Sequence, residues 1–392
     1  MAPFGRMSLS RQHSTPPGRT IKGMHHYTSA RPAAVHTSHP APDDFVARAT
    51  LLLADGFVDR SGVRALASHL GCTTSHLRQQ LVTSFGADAS TLSRAFARGR
   101  SLPPVDSLPY VVPLRLSFTP PLFPDNLFGH LIATAVPGVE EWRDNTYRRT
   151  LRLPHGPAIA ALTPHPDHVA AVFALTDPRD LAPAVAQCRF LLDLDADPVA
   201  VDTVLSSDPL LKPLVHKAPG RRVPRTVNGP EFAIRAVLGQ QVSTAAARTH
   251  AARLVQRHGT PVADLHLFPL SFDPAELAVP TSRRTTMAAL LTALESGVDL
   301  TPTADPAHVR AELHALPGFG PWTVESIAMR ALGDPDAFLP TDLGIKLAAA
   351  SLGLPVTPAA LTRRSEGWRP WRSYAVQHLW ATGDHEVNRI PT

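Results

Sequence analysis

Asp342 follows Phe338-Leu339-Pro340-Thr341 and precedes Leu343-Gly344-Ile345-Lys346-Leu347, the opening of a helical pattern, so its carboxylate stands where an N-cap belongs. Capping alone accounts for such a residue. The same carboxylate can also face a centre that gains positive charge during a reaction, stabilising that charge and orienting a water. Trp322 precedes it and Trp380 follows it in the chain. An indole face attracts a cation by roughly 0.5 to 2 kcal/mol, although by itself each Trp reads as a core residue. Lys346 shares the helix face of Asp342, which suits an ion pair or a phosphate contact better than a nucleophilic role.

The elements that must position these groups begin with Leu316-Pro317-Gly318-Phe319-Gly320-Pro321-Trp322-Thr323. Two Pro-Gly pairs bracketing one apolar residue fit a tight hairpin between two helices, with Pro321 preorganising the first turn of the second. Glycines without a Cβ admit close approach, and free amides at a helix N-terminus favour an anion. Gly318, Phe319, Gly320 and Thr323 are therefore candidates for gripping a nucleic-acid backbone without reading its sequence. An ordinary helix-helix turn is the alternative for this stretch alone. Upstream, Phe232 to Leu238 is apolar apart from Arg235 and runs into Gly239-Gln240-Gln241-Val242-Ser243, which reads locally as a helix boundary.

The pattern L-P-G-x-G-x-W-T, a connecting helix, then Phe-Leu-Pro-Thr-Asp resembles the helix-hairpin-helix superfamily of DNA base-excision glycosylases. Together with Pro-Trp-Arg-Ser-Tyr-Ala-Val-Gln-His-Leu-Trp at 370–380, it most resembles the bacterial 3-methyladenine DNA glycosylase II (AlkA-type) family, from about residue 112 nearly to the C-terminus. The resemblance implies that Asp342 is the catalytic aspartate and that Trp322, Trp380 and His130 line a base pocket. Ser326 replaces a tyrosine of the family, which makes the pocket roomier, and Gln241 stands where a wedge residue, often leucine, fills the gap left by an extruded nucleotide. Bifunctional members of the superfamily carry at the position of Trp322 a lysine that attacks the sugar, so hydrolysis without strand cleavage is expected here. The implied cofactor is none, apart from an alkali cation held by backbone carbonyls of the hairpin. Alkylation at a purine ring nitrogen weakens the glycosidic bond, so the implied enzyme needs to extrude the nucleotide, hold it against aromatic faces and place one carboxylate beside the sugar.

Nearer the N-terminus, Val63 to Leu70 reads as a helix, Gly71-Cys72 as a turn, and Thr73 or Thr74 as the cap of a second helix carrying Leu77 and Leu81 inward. This segment resembles the AraC-type helix-turn-helix found in Ada-type regulators of alkylation repair. Ser75, His76, Arg78 and Gln79 would lie on the outer face of its recognition helix. In Ada-type proteins a zinc domain with four cysteines precedes this unit and accepts a methyl group. Residues 1 to 42 contain no cysteine.

The expected architecture is multidomain α and α+β. Residues 1–41, rich in Pro, Ser, Thr, His and Arg, predict a disordered tail; 42–100 the helix-turn-helix; 101–111 a linker; 112–197 a small α+β domain; and 198–392 a mostly helical helix-hairpin-helix domain. In the α+β domain, strands are expected at 112–118, 147–153, 158–163 and 169–175, with helices at 126–134 and 180–193. A net charge of +5 and a pI near 9.6 suit a polyanionic partner. Cys72 and Cys188, far apart in the chain, can build neither a disulfide framework nor a four-cysteine metal centre, so no metal ligand set is expected. The absence of a signal-like or membrane-spanning apolar run predicts a soluble cytoplasmic protein with no membrane contact. The expected partner is double-stranded DNA containing alkylated bases, bound by a monomer. The competing reading is a DNA-binding regulator of the alkylation response with an inactive glycosylase domain, which need not keep Asp342 together with both tryptophans.

Overall fold

The computed structural model describes residues 42–102, 105, 108–383 and 385–391; the segment expected as a disordered tail lies outside them. The helix-turn-helix region comprises α1 (Pro42–Ala54), α2 (Phe57–His69), α3 (Thr74–Phe85) and α4 (Ala89–Gly99). Gly71 takes φ +70° in the turn, and the Thr73 hydroxyl accepts the His76 amide at 3.1 Å, which settles the cap on the first threonine. Leu77 and Leu81 are fully buried, as their four-residue spacing predicts. Gly62 interrupts α2 with non-helical angles, so the helix starts earlier than Val63 but is kinked there.

A five-stranded antiparallel sheet follows, in the order β1-β5-β4-β3-β2. Its strands are β1 (Tyr110–Leu116), β2 (Glu140–Arg143), β3 (Thr146–Leu153), β4 (Gly156–Pro164) and β5 (Val169–Leu175), with α5 (Pro124–Ala133) crossing from β1 to β2 and α6 (Leu181–Leu191) after β5. β1 begins inside the stretch expected as linker, and β2, four residues long, has too little alternation to be read from sequence. The apolar faces of α1 to α4 and of the sheet belong to one cluster: Phe45, Leu53, Leu77 and Phe96 share it with Leu114, Phe173 and Leu191. Close packing of α4 on β1 requires Gly99, where a Cβ would lie 1.5 Å from the Val111 carbonyl oxygen.

The rest is mainly helical: α7 (Pro198–Leu205), α8 (Lys212–Lys217), α9 (Gly229–Leu238), α10 (Thr244–His258), the two-stranded β6 (Thr260–Val262) and β7 (Leu265–Leu267), then α11 (Thr281–Glu295), α12 (Pro306–His314), α13 (Pro321–Arg330), α14 (Leu343–Ser351), α15 (Pro358–Ser365) and α16 (Arg372–Trp380). A second apolar cluster gathers α9 to α16, with Phe319, Ile327, Phe338, Ile345, Trp368 and Leu379 buried in it. No helix among the described residues is long and apolar enough to cross a membrane.

Candidate active site

α14 begins at Asp342, which caps it: Oδ1 accepts the Ile345 amide at 2.9 Å. The carboxylate does more than cap. Trp322 Nε1 donates to Oδ2 at 2.8 Å and Trp380 Nε1 donates to Oδ1 at 2.9 Å. One carboxylate therefore joins the start of α13, the start of α14 and the end of α16. Gly344 allows this closeness, because a Cβ there would sit 3.0 Å from Trp380 Cδ1 and 3.1 Å from Asp342 Oδ1. Both indoles and Asp342 are partly buried, and Lys346, one turn on, makes no ion pair among the described residues. Of the two structural roles expected for Lys346, the ion pair is thus not formed.

The two tryptophans line a cavity of about 270 Å³ together with His130 and Ser326. Trp322, Ser326 and Arg330 recur every fourth residue along α13 and give the cavity one wall. Opposite, His130 on α5 stacks on Trp380 with ring centroids 6.2 Å apart and planes 20° apart. Arg330 Nη1 donates to His130 Nε2. Burial first, and then the charges of Arg330 and Arg235, hold the His130 pKa well below the usual imidazole value, so the ring is neutral. The Arg330 guanidinium lies 5.0 Å above the Phe232 ring, and its Nη2 donates to the Arg225 carbonyl at 3.3 Å. Burial, then Arg235, push its pKa down to about 9, which leaves it charged at neutral pH.

Beneath the cavity lies an ionic cluster that sequence reasoning missed. Arg149 on β3 bonds Glu140 at 2.8 Å and Glu231 at 3.0 Å; Arg235, one turn after Glu231 on α9, reaches the same two carboxylates at 3.1 and 3.0 Å. Glu140 also accepts the Tyr147 hydroxyl and the Val136 amide. Burial alone would push the Glu140 pKa up, but Arg235, Arg149 and the Val136 amide outweigh it and hold it at about 2. Apart from Glu231 and Arg235, four residues apart on α9, these residues come from separate stretches, so no local pattern announces the cluster. They pin the sheet to α9, and α9 packs beside α13.

The hairpin between α12 and α13 matches its expected form. Gly318 takes φ +81°, and a Cβ there would meet the Thr286 hydroxyl at 2.0 Å; Gly320 caps α13, with Pro321 in the first turn. Gly318 and Gly320 are exposed. Phe319 and Thr323 are not: the Phe319 ring is buried in the helical core, and the Thr323 hydroxyl accepts the Gln240 amide at 3.2 Å. Their side chains therefore cannot touch a nucleic acid from the hairpin; the Phe319 amide donates to the Leu316 carbonyl at 3.2 Å, so of the two residues only the Thr323 amide, in the first turn of α13, is left for the expected role. Gln240 also donates to the Gly318 carbonyl at 3.1 Å, tying the hairpin to the turn after α9. In that turn Gln241 is exposed and held at φ +55°, a strained angle for a residue with a Cβ. On the helix-turn-helix, Ser75, His76, Arg78 and Gln79 are exposed on α3, although the His76 ring also packs edge-on against Phe45 at 5.4 Å.

Residues 113–228 match the family model described as the AlkA N-terminal domain. The chain is 47% identical to the probable bifunctional transcriptional activator/DNA repair enzyme AlkA of Mycobacterium tuberculosis, over 89% of this chain and 82% of that protein. It is 32% identical to DNA-3-methyladenine glycosylase 2 of Escherichia coli, over 68% of this chain and 96% of that one. Among solved structures, the 3-methyladenine DNA-glycosylase of Archaeoglobus fulgidus superposes with a TM-score of 0.59 at 17% identity, over 68% of this chain and 97% of that one, and so shares the fold. The Clostridium acetobutylicum 8-oxoguanine glycosylase/lyase does likewise, with a TM-score of 0.54 at 16% identity, over 70% and 96%. A carboxylate held by two cavity-lining indoles beside a helix-hairpin-helix, in a chain this similar to those relatives, makes the protein a DNA glycosylase of alkylated-base repair that belongs to the AlkA family.

Proposed function

We propose that the protein excises alkylated purines, of the 3-methyladenine and 7-methylguanine type, from double-stranded DNA by simple hydrolysis. The observation that carries this reading is the Asp342 carboxylate, held by hydrogen bonds from Trp322 and Trp380, the same indoles that line the cavity. A nucleotide turned out of the duplex enters the cavity, and the glycosidic bond breaks with its electron pair leaving on the base. Positive charge then grows on the sugar, where Asp342 stabilises it and orients the water that adds to C1′. The position that would need an amine for strand cleavage holds an indole, so the product is an abasic site in an intact strand. Gly318 and Gly320, with the amides around them, take the phosphate backbone; Gln241 fills the gap left by the extruded nucleotide; and the exposed face of α3, with Ser75, His76, Arg78 and Gln79, adds a second DNA contact. Lys346, which forms no ion pair among the described residues, takes a phosphate. Backbone carbonyls are the hard donors an alkali cation takes. In the hairpin the carbonyls of Leu316 and Gly318 each accept one hydrogen bond, from the Phe319 amide and the Gln240 side chain, which leaves each a second lone pair for such a cation. The enzyme works as a cytoplasmic monomer.

Incubation with methylated duplex DNA, followed by chromatographic identification of free bases and a borohydride-trapping assay, tests the reading. Free 3-methyladenine and 7-methylguanine with no trapped covalent complex are expected. No free base, or a trapped Schiff base, would overturn it.

A further inference from the structure

Arg330 is a cation without a counter-ion in the wall of the base cavity. Glu140 and Glu231 are committed to Arg149 and Arg235, and Asp193 is bonded to Arg225 at 3.2 Å. Among the described residues no carboxylate lies within ion-pair distance of Arg330, and its buried Nε has no hydrogen-bond partner. Arg248, whose Nε donates to the Ala135 carbonyl at 2.8 Å, brings a further guanidinium to the same cavity. A guanidinium can only donate, so Arg330 makes His130 Nε2 an acceptor. The neutral ring must then carry its hydrogen on Nδ1, which leaves a donor, Nδ1–H, on a side chain that lines the cavity. Together these groups make a wall rich in donors and positive charge, beside aromatic faces that would otherwise welcome a cation.

Such a wall acts differently on two kinds of leaving base. A cationic alkylated purine departs as a neutral molecule and needs no help in accepting the electron pair. An uncharged purine departs as an anion, and donors on its edge stabilise the charge that develops there. We propose that the His130–Arg330 pair determines specificity by favouring uncharged purines that bear an exocyclic carbonyl, such as hypoxanthine, over cationic alkylated purines. When the N9–C1′ bond of such a base breaks, its electron pair goes to the base, held by the Nδ1–H and guanidinium donors until solvent supplies a proton. Water adds to C1′ and loses its proton towards Asp342 and solvent. Cationic lesions are still excised, because their own labile bonds offset the unfavourable charge. This inference rests on the hydrolytic reading above.

The test is single-turnover release of hypoxanthine and of 7-methylguanine from otherwise identical duplexes by wild type and by His130→Phe, which keeps a ring and removes both nitrogens. The ratio of hypoxanthine to 7-methylguanine rates is expected to fall by roughly fivefold or more, the loss of about one hydrogen bond. A ratio within twofold of wild type, or parallel losses on both substrates, overturns the proposal. Should His130→Phe fail to fold, binding to wild type of neutral 9-methylhypoxanthine and of cationic 7,9-dimethylguanine, followed by tryptophan fluorescence, decides the same question. Tighter binding of the neutral base is expected, and equal or tighter binding of the cation overturns the proposal. Wild type that binds the neutral base more tightly yet releases neither would instead sink the hydrolytic reading and leave the pocket preference standing.

Discussion

Asp342 accepts three hydrogen bonds, from the Ile345 amide and the two indoles, and only the first of these belongs to an ordinary helix cap. An asparagine in its place could still cap α14, since Asn is as good an N-cap as Asp. It could not carry negative charge or accept from both tryptophans. Asp342→Asn is therefore expected to lower single-turnover base release by roughly 100-fold or more while leaving DNA affinity nearly unchanged, with a modest loss of thermal stability from the indole N–H left without an acceptor. Turnover within tenfold of wild type would remove Asp342 from its role. At this scale the sequence was informative where a motif fixed the spacing: Trp322, Trp380, His130 and Ser326 line one cavity, and Asp342 accepts a hydrogen bond from each of its two indoles. It was silent on Arg330, which reads as one more basic residue at the end of a helix and matters only because α5 brings His130 against it.

Between elements, the tolerances are set by α13, α14 and α16 meeting at one carboxylate. Gly344→Ala places a methyl group about 3 Å from both the Trp380 ring and Asp342, so one of them must shift. Base release at saturating DNA should fall by roughly tenfold or more with little change in DNA affinity, because the displaced groups belong to the proposed reaction site and not to the proposed backbone grip. An unchanged rate would show that the joint adapts freely. The cluster joining β3 to α9 predicts a pH dependence. The folded-state pKa of Glu140 is about 2, below the ordinary 4.5, so the folded protein binds fewer protons. The stabilisation, on the order of 3 kcal/mol, is complete above about pH 4.5 and is lost as pH falls towards 2. Denaturant titrations between pH 6 and 3 should show it, and Glu140→Gln should flatten that dependence. The hairpin, the capped helices and the longer strands were legible through local period and turn chemistry. β2, β6 and β7 were not, because strands of three or four residues carry almost no alternation, and the ionic cluster was not, because its members are up to 95 residues apart.

On the scale of the whole molecule, α1 to α4 are not a free appendage, since Phe45, Leu53, Leu77 and Phe96 share one apolar core with the sheet. Deleting residues 42–105 would expose that core and should lower the melting temperature. Substitution of exposed residues on α3 is the cleaner probe: Arg78→Ala with Gln79→Ala should weaken DNA affinity and leave base release at saturating DNA unchanged. Unchanged affinity would remove α3 from the DNA interface. The thiols are equally poor candidates for accepting a methyl group. Burial pushes the Cys188 pKa up to about 12 and raises that of Cys72 as well, so neither is a ready thiolate. DNA bearing labelled methylphosphotriesters should leave the protein unlabelled by mass spectrometry, and stoichiometric methylation of Cys72 would contradict this. The shared core has one more effect. α3 packs on α6, α6 packs on the sheet, and the sheet is bolted through Arg149 to α9 beside α13. Where α3 and the cavity engage the same duplex, the spacing between them is a fixed ruler. A lesion would be excised fastest at one set number of base pairs from any sequence α3 prefers, and more slowly half a helical turn away.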